Sequence, residues 1–148
     1  MKIKQIVFAF GLAISSVAQS ATYYVDPATG LDTNVGTQAM PWKSIPGSRN
    51  VANTAGLPTH TLLPGDIVEV KRGSNFGVAS GVGRLEFTQS GTAAAPITIR
   101  CSTTWGTGIC TFLGTGVTVG GFFGLITIST ASYVSVKGFS IVLRNTAF

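Results

Sequence analysis

Short runs in which apolar and polar residues alternate recur along the second half of the chain. The clearest are IVEVK (67–71), LEF (85–87), PITIR (96–100), LITIS (125–129) and YVSVKGFSI (133–141). A period of two is typical of β-strands with one buried face. Each run is bounded by Gly, Ser, Asn or Pro, which favour turns. No window beyond the first twenty residues keeps apolar positions at helical spacing, so the pattern predicts an almost entirely β chain.

Three of these runs share one order of residue types. The segments 68–71, 97–100 and 134–137 each have an apolar, a polar, an apolar and a basic residue, and they start 29 and 37 positions apart. Such separations fit stacked supersecondary repeats whose turns vary in length. We therefore predict a parallel stack, with a β-sandwich of hairpins as the alternative. The chain has no Asn-Gly or Asp-Gly hairpin turn between adjacent strands, which favours the stack.

The repeat also predicts a candidate binding site. If the three segments stack in register, the side chains of Lys71, Arg100 and Lys137 point outward as a basic ladder with a rung about every 4.8 Å. Like charges at that spacing repel each other, and a bound polyanion would relieve the repulsion. The ladder predicts binding of an acidic polysaccharide. The alternative is three solvated side chains at strand ends.

The first twenty residues have the pattern of an export signal. Lys2 and Lys4 precede an apolar run, 6–14, which small residues follow. This predicts a signal peptide over 1–20, cleaved after Ser20 or, as a second choice, after Ala18, and hence a secreted or periplasmic protein. The apolar run is too short to cross a bilayer, and we expect no membrane span elsewhere.

The remaining 128 residues are enough for one modest domain. Loss of the two N-terminal lysines lowers the formal net charge from +5 to +3. That small surplus, without an Arg/Lys run or interleaved aromatic residues, argues against a nucleic-acid partner.

Cys101 and Cys110 are the two cysteines of the chain. An exported chain meets an oxidising compartment, in which such a pair usually forms a disulfide. Two buried free thiols are the alternative. A zinc site would need further ligands than these thiols and the distant His60, so we expect no metal here.

Several segments near the N-terminus carry a family resemblance. They are Tyr23–Val25, Gly30, Asp32, Asn34, Gly36–Thr37, Pro41–Ile45 and Leu63–Asp66. Together with SGTAAAPITIR and YVSVKGFSI, they resemble the first part of secreted right-handed parallel β-helix proteins, among them pectate lyases and chondroitinase-like polysaccharide lyases. The resemblance implies an all-β right-handed parallel β-helix (solenoid), with an N-terminal cap and its leading loop over 21–66. Residues 67–148 would then form about three partial coils, incomplete at the C-terminal end.

The functional expectation also follows from this resemblance. Enzymes of this kind cleave acidic polysaccharides by β-elimination, in which a cation neutralises the uronate carboxylate and a base removes the C5 proton. No catalytic motif of theirs matches this chain, so the catalytic residues stay unknown and are expected outside it. We expect no cofactor in this chain, although a longer parent protein of this kind could hold Ca²⁺. A non-catalytic surface solenoid for glycan binding or adhesion is the alternative. The open C-terminal edge would allow self-association.

One stretch of the cap admits two interpretations. The segment 32–36, DTNVG, resembles the start of a calcium loop but lacks the acidic positions and the Glu of an EF-hand. Asp, Asn and Gly are also the residues that stabilise turns, and we favour this structural role. The related proteins place a capping helix directly after the segment that corresponds to Pro41–Ile45, whereas Pro46 and Gly47 interrupt it here, so we expect the helix to be short, displaced or replaced by a loop.

Overall fold

The computed structural model describes residues 20–46, 48–49, 60–77, 84–113, 126–128 and 130–142. Apart from Ser20, the predicted signal peptide lies outside these residues, as does most of the segment after Pro46 in which the capping helix was expected to be interrupted. Across the described ranges there is no helix of the length and apolar character needed to cross a membrane.

Ten β-strands make up the described secondary structure. They are β1 (Thr22–Val25), β2 (Ser48–Arg49), β3 (Ile67–Arg72), β4 (Asn75–Gly77), β5 (Arg84–Phe87), β6 (Ile97–Gly106), β7 (Cys110–Leu113), β8 (Ile126–Ile128), β9 (Val134–Lys137) and β10 (Phe139–Val142).

The strands form three sheets with the orders β1-β3-β6-β9, β10-β7-β4 and β2-β5-β8. All neighbours are parallel except β2 and β5, which pair antiparallel. Strands that follow one another along the chain lie in different sheets: β3, β4 and β5 form one circuit, and β6, β7 and β8 the next. The prediction of an all-β chain with parallel sheets is confirmed, and the arrangement is consistent with a β-helix.

Apolar side chains from neighbouring strands of the same sheet line up in rows on its inner side. Tyr23, Val68, Ile99 and Val136 are register partners across β1, β3, β6 and β9. Val68 and Ile99 are fully buried, and the two end members pack against the core. The period-two pattern therefore predicted the inward face of this sheet correctly.

The register between β3 and β6 differs from the prediction by two residues. Glu69 lies opposite Arg100, whereas Lys71 was expected there. A slide of two residues keeps every side chain on its own face, so the alternating pattern cannot detect it. The observed register sets opposite charges side by side where the predicted one set like charges. Between β6 and β9 the predicted alignment is correct, with Arg100 opposite Lys137.

The loop between β1 and β2 packs around Trp42. This indole ring, 2% exposed, stacks on Tyr23 with a centroid distance of 4.6 Å and on His60 with a distance of 4.0 Å. Its Nε1–H donates to the carbonyl oxygen of Asn34 over 2.9 Å. Gly36 has a φ of +80°, and a Cβ there would lie 2.6 Å from the indole ring. His60 is thus a half-buried structural residue.

Asp32 holds the same loop together. Its Oδ1 accepts hydrogen bonds from the backbone N–H groups of Lys43 and Ser44 over 3.0 and 2.8 Å, and its Oδ2 accepts from the Ser44 hydroxyl over 3.0 Å. The loop itself therefore uses both carboxylate oxygens, which supports the structural role over a calcium ligand.

The predicted disulfide is confirmed. Cys101 on β6 and Cys110 on β7 are bonded, with their Cα atoms 5.7 Å apart. Because β6 and β7 belong to different sheets, the disulfide links two of the three sheets within one circuit of the chain.

Candidate functional site

The outward side of the β1-β3-β6-β9 sheet gathers charged and aromatic side chains, and we call it the outer face. Its residues are Tyr24, Asp26, Glu69, Lys71, Arg100, Trp105 and Lys137. Apart from Trp105, they alternate along the chain with the buried apolar rows, so the same period of two that builds the core places them outside.

The first row of the outer face contains an ion pair and a further cation. Arg100 donates a hydrogen bond from Nε to Oε1 of Glu69 at a distance of 2.5 Å, and its Nη2 lies 2.5 Å from the same oxygen in an ion pair. The Glu69 side chain is 10% exposed and that of Arg100 is 45% exposed. Lys137, the register partner of Arg100 on the next strand, is exposed. The row therefore carries one negative and two positive charges.

The second row contains a more buried pair. Lys71 Nζ donates to Oδ2 of Asp26 over 2.7 Å, and the Asp26 side chain is 4% exposed. Asp26 also accepts hydrogen bonds from the Thr29 hydroxyl over 2.7 Å and from the Ala28 N–H over 3.0 Å.

Burial raises the pKa of Asp26, but the hydrogen bonds from Lys71, Thr29 and Ala28 together outweigh the effect of burial and hold the pKa below 3.8. The pair ties the start of the cap loop to β3.

Trp105 reaches the outer face from an irregularity in β6. The register with β3 jumps from Val70–Cys101 to Arg72–Gly106, so β6 carries extra residues at this point. The Ser102 hydroxyl stabilises this bulge by accepting a hydrogen bond from the backbone N–H of Trp105 at a distance of 3.1 Å.

The aromatic part of the outer face is a pair of half-buried rings. The Trp105 ring meets Tyr24 edge to face at 5.5 Å, and Lys71 Nζ lies 5.6 Å from the Trp105 centroid. Both distances are within the range of favourable aromatic and cation–π contacts.

Arg72 braces the loop that carries Trp105. Its Nε–H donates to the carbonyl oxygen of Gly108 over 2.9 Å, and Nη1 donates to that of Thr103 over 3.4 Å. The disulfide closes the same loop at both ends. The position of Trp105 is therefore set by three separate constraints: the bulge, the arginine and the disulfide.

The expected ladder of three cations is wrong in its geometry. Lys71 lies in a different row from Arg100, and each pairs with a carboxylate that the prediction left out. Lys137 and Arg100 do lie side by side. The role of these residues in binding stays a prediction.

Sequence reasoning missed Tyr24 and Trp105 as members of this face. A signal for Tyr24 was present, since it alternates with the apolar Tyr23 and Val25. Trp105 lies midway between the two cysteines, and a loop closed by a disulfide is a firm support for an aromatic side chain. Within the described ranges, no three His, Cys, Asp or Glu side chains come close enough together to hold a metal ion.

Comparisons with known proteins give a likeness of fold. No protein-family model and no curated protein matches the sequence. Among solved structures, the GH136 lacto-N-biosidase from Eubacterium ramulus superposes with a TM-score of 0.59 at 24% identity, covering 86% of this chain and 21% of that one. Its selenomethionine derivative gives 0.58 at 23% identity. A rhamnogalacturonan lyase gives 0.55 at 23% identity, covering 82% of this chain and 28% of that one. The chain thus spans about a quarter of the length of these proteins and shares its fold with that part of them.

Proposed function

We propose that this chain forms the first coils of a right-handed parallel β-helix in a secreted or periplasmic carbohydrate-active protein, and that a glycan binds along its outer face. The observation that carries the proposal is the pairing of Tyr24 and Trp105 beside the charged rows of the same face. The glycoside hydrolase and the lyase that share the fold support the carbohydrate class.

The aromatic pair suits a sugar ring. Tyr and Trp offer an apolar ring together with a polar group at the edge, which matches the apolar C–H faces and polar rims of a pyranose. Trp105 is held in advance by its bulge and by the bracing of Arg72. A ring that is already fixed loses little conformational entropy when a ligand binds.

The charges of the outer face favour an acidic sugar over a neutral one. Glu69 neutralises one of the two cations in its row, and Lys137 remains exposed. No salt bridge among the described residues involves Lys137, so a uronate carboxylate could pair with it without displacing a described partner. The Asp26–Lys71 pair adds no net charge, so the attraction rests on the Arg100–Lys137 end of the face.

For the reaction, the resemblance to polysaccharide lyases favours β-elimination on an acidic polysaccharide. The catalytic groups, and any Ca²⁺ they need, would belong to parts of such a protein outside this chain. The second candidate is a non-catalytic solenoid for glycan binding or adhesion. The Trp105–Tyr24 pair favours it equally, because an aromatic binding face needs no catalytic group.

Calorimetric titration tests the binding proposal. Polygalacturonate and alginate are expected to bind more tightly than neutral dextran, and both Lys137→Ala and Trp105→Ala are expected to weaken binding about tenfold or more. Leu31→Ala is a control, since this side chain is exposed in the loop after β1 and is not among the residues of the outer face. Equal affinity in all three variants would rule out the outer face as the site.

Ultraviolet absorbance separates the two candidate functions. β-Elimination leaves an unsaturated sugar end that absorbs in the ultraviolet, whereas hydrolysis and simple binding leave none. The full exported protein is incubated with the polysaccharide that binds best. A rise in absorbance supports the lyase, and binding without a rise supports the non-catalytic solenoid.

A further inference from the structure

A buried carboxylate holds the residue that precedes β1. The backbone N–H of Ala21 donates to Oδ1 of Asp66 over 2.8 Å, and the N–H of Leu63 donates to Oδ2 over 2.8 Å. Asp66 is only 1% exposed. On its other side, the Ala21 carbonyl oxygen accepts from the N–H of Ile67 over 2.8 Å. Ala21 is therefore fixed at both its nitrogen and its oxygen.

The same nitrogen lies at the favoured cleavage point of the predicted signal peptide. The sequence Ala18-Gln19-Ser20 ends immediately before Ala21, and small residues at the first and third positions before the cut are what signal peptidases accept. A sequence pattern and a hydrogen bond thus point independently to one atom.

Cleavage changes the chemistry of that atom. Hydrolysis of the Ser20–Ala21 peptide bond consumes one water, whose hydroxyl joins the Ser20 carbonyl carbon and whose hydrogen joins the Ala21 nitrogen. The new carboxylic acid ionises, and the new amine takes up a proton. An α-amino group has an ordinary pKa of about 7.7–8.0. At neutral pH Ala21 is therefore mostly an ammonium with three hydrogens where it had one.

We propose that cleavage after Ser20 places the new α-ammonium group of Ala21 on the carboxylate of Asp66, so that the mature chain gains an ion pair which the precursor cannot form. The nitrogen is already 2.8 Å from Oδ1, so the strand need not move. In the precursor, the donors described for the Asp66 side chain are both neutral backbone N–H groups. A hydrogen bond from a charged donor to a carboxylate is stronger than one from a neutral amide.

The surroundings of Ala21 allow the charge to form. Ser20 lies over the turn at Gly65, where a Cβ would be 3.3 Å from the Ser20 Cβ. Cleavage removes Ser20, which is exposed, and opens that position to water. The other two ammonium hydrogens can then be hydrated, which limits the desolvation cost that makes fully buried ion pairs weak.

The alternative cleavage after Ala18 would not have this effect. The chain would then begin at Gln19, and the Ala21 nitrogen would stay a neutral amide. The inference rests on the export prediction and is independent of glycan binding at the outer face.

The test compares two forms of the mature chain that differ only in the group on the nitrogen of Ala21. One begins with the free amine of Ala21, and the other carries an N-acetyl group there, which restores a neutral amide N–H. The free amine is expected to raise the melting temperature by about 4 °C. In an Asp66→Asn background this difference is expected to disappear, whereas Asp32→Asn, in the cap loop, leaves it unchanged. Equal melting of the free and acetylated chains would overturn the proposal.

A second measurement keeps the test valid if Asp66→Asn does not fold. Amine-reactive ester at neutral pH is expected to label Ala21 about tenfold more slowly in the native chain than in urea, because the ion pair raises the pKa of the amine. The exposed Lys43 amine serves as the internal reference. Equal labelling of Ala21 in both states would refute the ion pair. Mass spectrometry of the exported protein gives the cleavage point directly, and a chain that begins at Gln19 would refute it as well.

Discussion

The cap loop and the parallel strands are stabilised in two different ways. In the cap, single residues each make several specific contacts: Trp42 stacks on two rings and bonds Asn34, and Asp32 accepts three hydrogen bonds. In the strands, the apolar rows are built mostly from aliphatic residues, such as Val68, Ile99 and Val136. The cap therefore depends on the identity of its residues, whereas the strands depend on their pattern.

This difference predicts how each region responds to substitution. A region that depends on residue identity loses much of its stability at one position. In a region that depends on the pattern of apolar residues, one substitution removes only a few of many small contacts, so the loss of stability is small. The following substitutions test the comparison in order of expected effect.

Replacing Trp42 with Ala is expected to have the largest effect. It removes a fully buried aromatic ring together with its contacts to Tyr23 and His60, which costs about 4 kcal/mol of unfolding free energy. Urea unfolding measures the loss. Trp42→Phe is the comparison variant, because it keeps an aromatic ring for stacking but loses the Nε1–H bond to Asn34 and one of the two indole rings. If the two variants were equally destabilised, the stacking would not be what stabilises the cap.

Removing the disulfide tests the strands. Cys101 and Cys110 close a short loop with a sequence separation of 9, and chain entropy gives such a loop about 3 kcal/mol of stabilisation. The double variant Cys101→Ala/Cys110→Ala is expected to lose about this much in urea unfolding under oxidising conditions. Under reducing conditions the native chain should approach the stability of the variant. An unchanged unfolding midpoint would show that strand packing alone fixes this corner.

Lys71→Met tests the seam between the two regions. It removes the ammonium partner of the buried Asp26 and is expected to cost about 1–2 kcal/mol near pH 7, since the Lys71 side chain is partly exposed. The pKa of Asp26 lies below 3.8 in the native chain. The stability from this carboxylate is therefore complete above that value and is lost as the pH falls through the lower native pKa.

The pH dependence makes this test specific. The gap in stability between wild type and Lys71→Met should be widest near neutral pH and should close as the pH falls through the lowered native pKa of Asp26. Lys43→Met, at an exposed position of the cap, is expected to show no such dependence. A gap that stayed constant with pH would assign the loss to packing rather than to the ion pair.

Ile99→Val is expected to have the smallest effect. It removes one methylene from a fully buried position in the strand rows and should cost about 1 kcal/mol. Thermal unfolding measures the shift. A loss as large as that of Trp42→Ala would contradict the distinction between cap and strands.

The sequence predicted the faces of the strands but not all of their neighbours. Alternation alone placed Val68 and Ile99 inward, because a period of two is a property of a single strand. The partners of Glu69 and Lys71 depend on how strands slide past one another, and a slide of two residues leaves the pattern unchanged.

Alternation of apolar and polar residues also could not predict the positions of Trp105 and Asp26 on the outer face. The bulge that delivers Trp105 breaks the alternation of β6, and no short run of residues signals it. The sequence pattern did not indicate the role of Asp26, because its partner Lys71 lies 45 positions away. The strands β4 and β7 were also missed, although the order of residue types in Cys110–Leu113 would have indicated the second.

The loop that the disulfide closes has fixed ends and exposed positions between them. Its ends are fixed covalently to two sheets, while Thr103, Thr104 and Thr107 within it are exposed. Substitutions at these exposed positions are therefore expected to leave the alignment of the sheets intact. The aromatic side chain at position 105 can be exchanged in the same way, because the bond between Cys101 and Cys110 holds the two sheets whatever side chain lies between them.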